Sequence, residues 1–100
     1  MLIVPTAPLA NQTFTVLLAN QPCRIDLVQK SNGMFMTIYV NDALLLAGVI
    51  CENRNRIVRS RYLGFTGDLE FRDIAGNADP VYTGLNSRWF LCYLEAADIA

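Results

Sequence analysis

The sequence predicts a small all-β domain, a sandwich or partly open barrel of about seven or eight short, mainly antiparallel strands. Three observations carry that expectation. Apolar and polar residues alternate with a period of two over several short runs, as in half-buried strands. Turn signals built from Asn, Gly and Pro separate those runs. The most apolar runs, Met34–Val40 and Arg88–Leu94, are crowded with β-branched or aromatic residues, which favour extended backbone.

Taken in order, Leu2-Ile3-Val4 is a short first strand stopped by Pro5, and Thr6–Gln12 with its Pro8 is a connection. Thr13–Leu18 places Phe14, Val16 and Leu18 on one strand face. Ala19–Pro22 is a turn in which Asn20 suits a positive φ. Cys23–Gln29 alternates as a strand, Asn32-Gly33 is the sharpest hairpin signal in the chain, and Met34–Val40 returns. After Asn41-Asp42, the apolar run Ala43–Ile50 is either a short helix or a strand. Its brevity, the interruption at Gly48 and the pair Val49-Ile50 favour a buried strand with a kink or bulge at Gly48.

Asn53–Asn55 reads as a polar turn, Ile57-Val58 as a short strand and Arg61–Gly67 as a glycine-punctuated bend. Asp68–Asp73 alternates charge with Leu69 and Phe71, so a strand with one wet face is expected. Ala75–Pro80 is a turn cluster, Val81–Ser87 an irregular connection, Arg88–Leu94 the closing strand and Glu95–Ala100 a frayed tail.

One hundred residues, 53% hydrophobic and only 17% charged, are expected to form a single domain spanning residues 1–100. So apolar a short chain suggests either a well-filled core or surface set against partner subunits. The net charge of −1 creates no global field favouring nucleic acid or an anionic membrane. Three widely spaced cysteines, Cys23, Cys51 and Cys92, read as buried free thiols of a reducing compartment. Met1–Pro5 lacks the basic region of a signal peptide, and the nine residues Ala43–Cys51 fall far short of the ~20 needed to span a bilayer. A soluble product, assembled in the cytoplasm, is expected.

Catalytic chemistry finds little purchase. Without histidine, the usual nucleophile triads, zinc triads and commonest general base are missing. The cysteines lack the paired spacing of a zinc site. Asp73–Asp79 has oxygens that a calcium loop uses but not the EF-hand pattern, and turn formation explains it without an ion. Asp68, Glu70 and Asp73 supply carboxylates but no cleft with a partnered pair, so a solvated face is expected. Neither a metal nor a cofactor is expected, and the reading is not an enzyme.

Two features suggest binding. Arg54, Arg56, Arg59 and Arg61 gather half of the basic residues into eight positions. They could meet acidic partners or phosphates, or simply protect a strand edge. On a regular strand Arg54 and Arg56 would oppose Arg59 and Arg61. The strands Met34–Val40 and Arg88–Leu94, apolar on both faces, can bury only one face in so small a fold. Met34, Met36, Tyr39, Trp89 and Tyr93 therefore join the four arginines as candidate subunit-interface residues.

Several segments together resemble the cyanophage-type baseplate plug family of contractile-tailed bacteriophages. Val4-Pro5 followed by Asn11–Leu17 resembles the family's opening, and Arg24-Ile25-Asp26-Leu27 with Phe35–Tyr39 its pair of strands. Leu46-Ala47-Gly48-Val49 matches the central apolar strand. Arg61–Gly64, Leu69–Asp73, Gly76, Asp79-Pro80 and Leu91–Leu94 match later segments, while the arginine-rich Asn53–Arg61 departs from the pattern.

The resemblance implies a non-enzymatic structural protein of the virion tail baseplate, near the tube axis. It implies contacts with tube-end, hub and spike proteins. Several copies in a ring are expected, with neither a membrane nor direct DNA contact. The alternative is a small β-barrel module that binds nucleic acid or peptide through Arg54–Arg61.

Overall fold

The computed structural model describes residues 2–59 and 65–95 and arranges them as seven strands in two antiparallel sheets. The three-stranded sheet has the order β1 (Leu2–Val4), β7 (Trp89–Leu94), β6 (Asp68–Asp73). The four-stranded sheet is a meander of β2 (Asn11–Leu18), β3 (Gln21–Lys30), β4 (Gly33–Val40) and β5 (Ala43–Cys51). Neither sheet closes into a barrel.

Tight turns set the meander. Ala19-Asn20 and Asn41-Asp42 are two-residue connections whose residues all have positive φ, the backbone whose twist matches that of the strands it joins. The hairpin expected at Asn32-Gly33 is present one position earlier. Ser31 and Asn32 form its tip, and Gly33 opens β4 opposite Lys30 with φ 142°.

β5 carries the expected irregularity but is not the buried strand expected: it is an edge strand of the four-stranded sheet, and only Cys51 of its nine residues is buried. Its pairing with β4 shifts register between Met36 and Ile38 and again between Ile38 and Tyr39. Gly48 takes φ 61° there and donates its N–H to Thr37 Oγ1 at 3.1 Å. A bulge of this kind bends the strand and disrupts its free edge.

The core lies between the sheets. Cys23, Ile25 and Leu27 of β3 and Met34, Met36 and Ile38 of β4 meet Leu69, Phe71, Leu91 and Tyr93 of the smaller sheet. Two polar clips tie the layers at separate points. The Gln21 amide donates to Thr66 O at 3.2 Å and accepts from Thr66 N at 3.0 Å, while Gln29 Oε1 accepts from Tyr82 N at 3.1 Å.

The structure departs from expectation at two further points. Ile57-Val58 is not a strand but a pair of bends, with both side chains in the core. β6 has no wet face, because Asp68 and Glu70 are only 5% and 7% exposed. Within the Val81–Ser87 connection, Tyr82–Gly84 forms a 3-10 turn. Residues 61–64 of the expected bend and 96–100 of the expected tail lie outside the described residues.

Candidate functional site

Asp68 explains why the arginine segment is a loop. Its Oδ1 accepts N–H bonds from Ile57 at 3.2 Å, Val58 at 2.8 Å and Leu69 at 2.7 Å, and its Oδ2 accepts from Arg59 at 2.9 Å. Three consecutive amides turned toward one carboxylate break a strand ladder, and of the three only Ile57 N is shared with the β6 backbone. The loop instead lies along the outer edge of β6, with Arg54 N donating to Phe71 O and Ile57 N to Leu69 O. That edge is thereby covered.

Arg54, Arg56 and Arg59 all project into solvent from this loop. Arg54 and Arg59 have φ of 59° and 63°, so the alternation expected of a regular strand does not apply. Arg59 folds back to donate through Nε to Arg56 O at 2.6 Å. Arg61 lies outside the described residues.

The loop after β6 is organised by a second carboxylate. Asp73 is buried, and both oxygens bond Arg88, at 2.9 Å from Nε and 2.9 Å from the guanidinium tip. It also accepts from Ala75 N and Ala78 N, each at 2.9 Å. The Arg88 guanidinium, with help from those amides, holds this carboxyl well below the usual carboxylate range although burial acts against it. Trp89 Nε1 donates to Ala78 O at 3.0 Å, and Arg88 stacks on the indole. The Asp73–Asp79 segment is thus a turn whose leading carboxylate is occupied by protein donors.

The sequence-predicted interface residues do not form one surface. Met34, Met36, Trp89 and Tyr93, expected at a subunit contact, are core residues of the single chain. β4 is largely apolar on both faces, and its pairing with β3 aligns Met36 with Leu27 and Ile38 with Ile25 on the inner one. The second face of β7 is not open either, since Cys92 and Leu94 are buried there. Tyr39 alone among the aromatic and methionine candidates points outward, half-buried under the Arg24 guanidinium at 4.2 Å.

What lies open is the outer face of the four-stranded sheet. Register sets Val28, Phe35 and Ile50 in one row across β3, β4 and β5, with Val28 and Ile50 37% and 39% exposed. A second row runs Thr15, Arg24, Tyr39, Leu44, and Leu44 is 57% exposed. Between them stands Asp26, paired in register with Thr13 and Thr37, whose Oδ1 accepts no hydrogen bond among the described residues. Lys30 caps the Phe35 ring at 5.1 Å. The face is therefore apolar in strips, with cations laid over its aromatic rings. At one end of this sheet a depression of about 500 Å³ is lined by Thr15–Leu17, Pro22–Arg24 and Asn41-Asp42.

None of the three cysteines is bridged, and burial pushes all three thiols up, Cys51 to about 12. Neither the outward row nor the buried carboxylates was visible to sequence reading. Phe35 and Ile50 sit in runs that are apolar at successive positions, so the sequence does not say which parity faces in.

Among curated proteins no match to this chain was found. A scan against protein-family models matches residues 1–96 to the family described as cyanophage baseplate Pam3 plug gp18. The match covers nearly the whole chain, and the chain belongs to this family of structural baseplate plugs.

Proposed function

We propose that the chain acts as a plug near the axis of a contractile tail baseplate, contacting tube-end, hub and spike proteins in several copies. The observation that carries this reading is the family match over residues 1–96. A baseplate plug family implies a location in the virion tail and contacts with other baseplate components. The mode of action is burial and shape: the Val28–Phe35–Ile50 row is an apolar strip that a partner surface can cover, and apolar strips of this kind form the centres of interfaces.

Lys30 lies over Phe35 at the strip, while Arg24 is paired with Asp26 at 3.4 Å, so charge at this face would steer encounter more than it adds affinity. Size-exclusion chromatography with light scattering, on mixtures with the hub and tube-end proteins encoded beside this chain, tests the reading. A stable complex that weakens at least about tenfold for Val28→Asp with Ile50→Asp is expected, because two charges would be placed at a desolvated contact. A chain that stays free of every tail component would overturn it.

A further inference from the structure

We propose that free chains pair edge to edge through β2, joining two four-stranded sheets into one continuous eight-stranded sheet. The inference starts from how the sheet edges are treated. An open edge presents unpaired N–H and C=O groups, and proteins blunt such edges with charge, proline, bulges, shortness or cover. β1 has three residues and stops at Pro5. The edge of β6 is covered by the 53–57 loop. The edge of β5 is broken by the register shifts around Gly48. Among the described residues β2 shows none of these devices beyond Gln12, where the Ala7–Leu9 segment is bonded: it runs eight residues, Asn-Gln-Thr-Phe-Thr-Val-Leu-Leu, without a charge, a proline or a bulge.

A second copy fits this edge because β2 is its own complement. In an antiparallel pair, directly opposed residues share a sheet face, so a two-fold axis must pass through a residue position. With the axis at Thr15, Phe14 meets the partner's Val16 on the inner face, and Thr13 meets the partner's Leu17 on the outer face. The first is an aromatic–β-branched pair of the kind that stabilises sheets. The second covers Leu17, which is 64% exposed in the single chain.

An axis at Phe14 would draw in Asn11 and crowd the segment before β2. There the Gln12 amide is already bonded to Ala7 N, Ala7 O and Leu9 O. With the axis at Thr15 the pairing starts one residue further from this segment, with Gln12 opposite the partner's Leu18. Such a contact is isologous and closes at two copies. It does not rest on the baseplate reading, and a ring would require other surfaces.

The test uses charge at the dyad. Thr15 is exposed, and any charge placed there faces its own copy. Light scattering of the wild-type chain should give twice the monomer mass at high protein concentration. Thr15→Lys and Thr15→Glu should each raise the monomer–dimer midpoint at least about tenfold through like-charge opposition, and an equimolar mixture should restore the dimer. Amide exchange in β2 of the wild-type chain should slow as concentration rises, a readout that needs no variant. A wild type that stays monomeric, single variants that dimerise as it does, a mixture that fails to recover, or concentration-independent β2 exchange would each overturn the proposal.

Discussion

At the scale of single residues, two buried carboxylates hold the loops that flank β6. Asp68 satisfies four backbone amides from a site that water barely reaches. Removing it leaves buried donors without an acceptor, so Asp68→Ala should lower the unfolding free energy by about 3 kcal/mol in urea denaturation. Asp73 acts through charge as well. Its folded-state carboxyl sits below the usual carboxylate range because Arg88 is bonded to it.

The stability that Asp73 contributes is present in full above the unfolded-chain pKa of about 3.9 and is lost as pH falls below it toward the folded value. Stability of the wild-type chain should therefore fall on acidification from about pH 5 to about pH 2, and Asp73→Asn should flatten that slope. Urea midpoints of both proteins across this range check it. None of this was legible in the alternation of Asp68–Asp73. A period of two marks which residues share a face, but not that a loop 10 residues earlier supplies amides to one of them.

At the scale of elements, turns and strands were read well because their signals are local. Asn20 and the pair Asn41-Asp42 mark primed turns directly, and Gly48 marks the bulge. Ala19 was less visible, since alanine is poorly suited to the φ of 49° it adopts. Ala19→Gly should raise stability by about 0.5 kcal/mol, the relief of left-handed strain offset by glycine's greater unfolded freedom. Thermal unfolding of the pair measures this.

The positive-φ glycines should rank by what a side chain would meet. A Cβ at Gly48 touches nothing, whereas one at Gly67 falls 2.3 Å from Leu94 O, in addition to its φ of 88°. Gly48→Ala should cost about 1 kcal/mol, and Gly67→Ala clearly more. Equal losses for the two would show that strain alone, not the approach of Leu94, governs the second site. What the elements concealed was parity. Met34–Val40 is apolar on both faces, so the inward choice of Met34, Met36 and Ile38 over Phe35 and Tyr39 is made by the opposing sheet.

At the scale of the whole molecule, the chain combines a filled core with an outer sheet face on which apolar strips alternate with polar and charged positions. Four of the candidate contact residues turned out to belong to that core, and their outward neighbours took their place. The excess of hydrophobic residues is thus divided between the two readings that composition left open. Core filling accounts for Met34, Met36, Trp89 and Tyr93. Val28, Ile50, Leu44 and Leu17 are exposed by the fold, and Val28 and Ile50 are the residues through which the proposed partner contact is tested.

Family membership was legible because the matching segments run along the chain, but the contacts that a plug makes depend on which strand face looks outward. The most direct test of the account is quantitative mass spectrometry of baseplates isolated from purified virions. The account expects this chain in the baseplate fraction at a fixed ratio to the hub and tube-end proteins. Virions whose baseplates lack it would contradict the account at its centre.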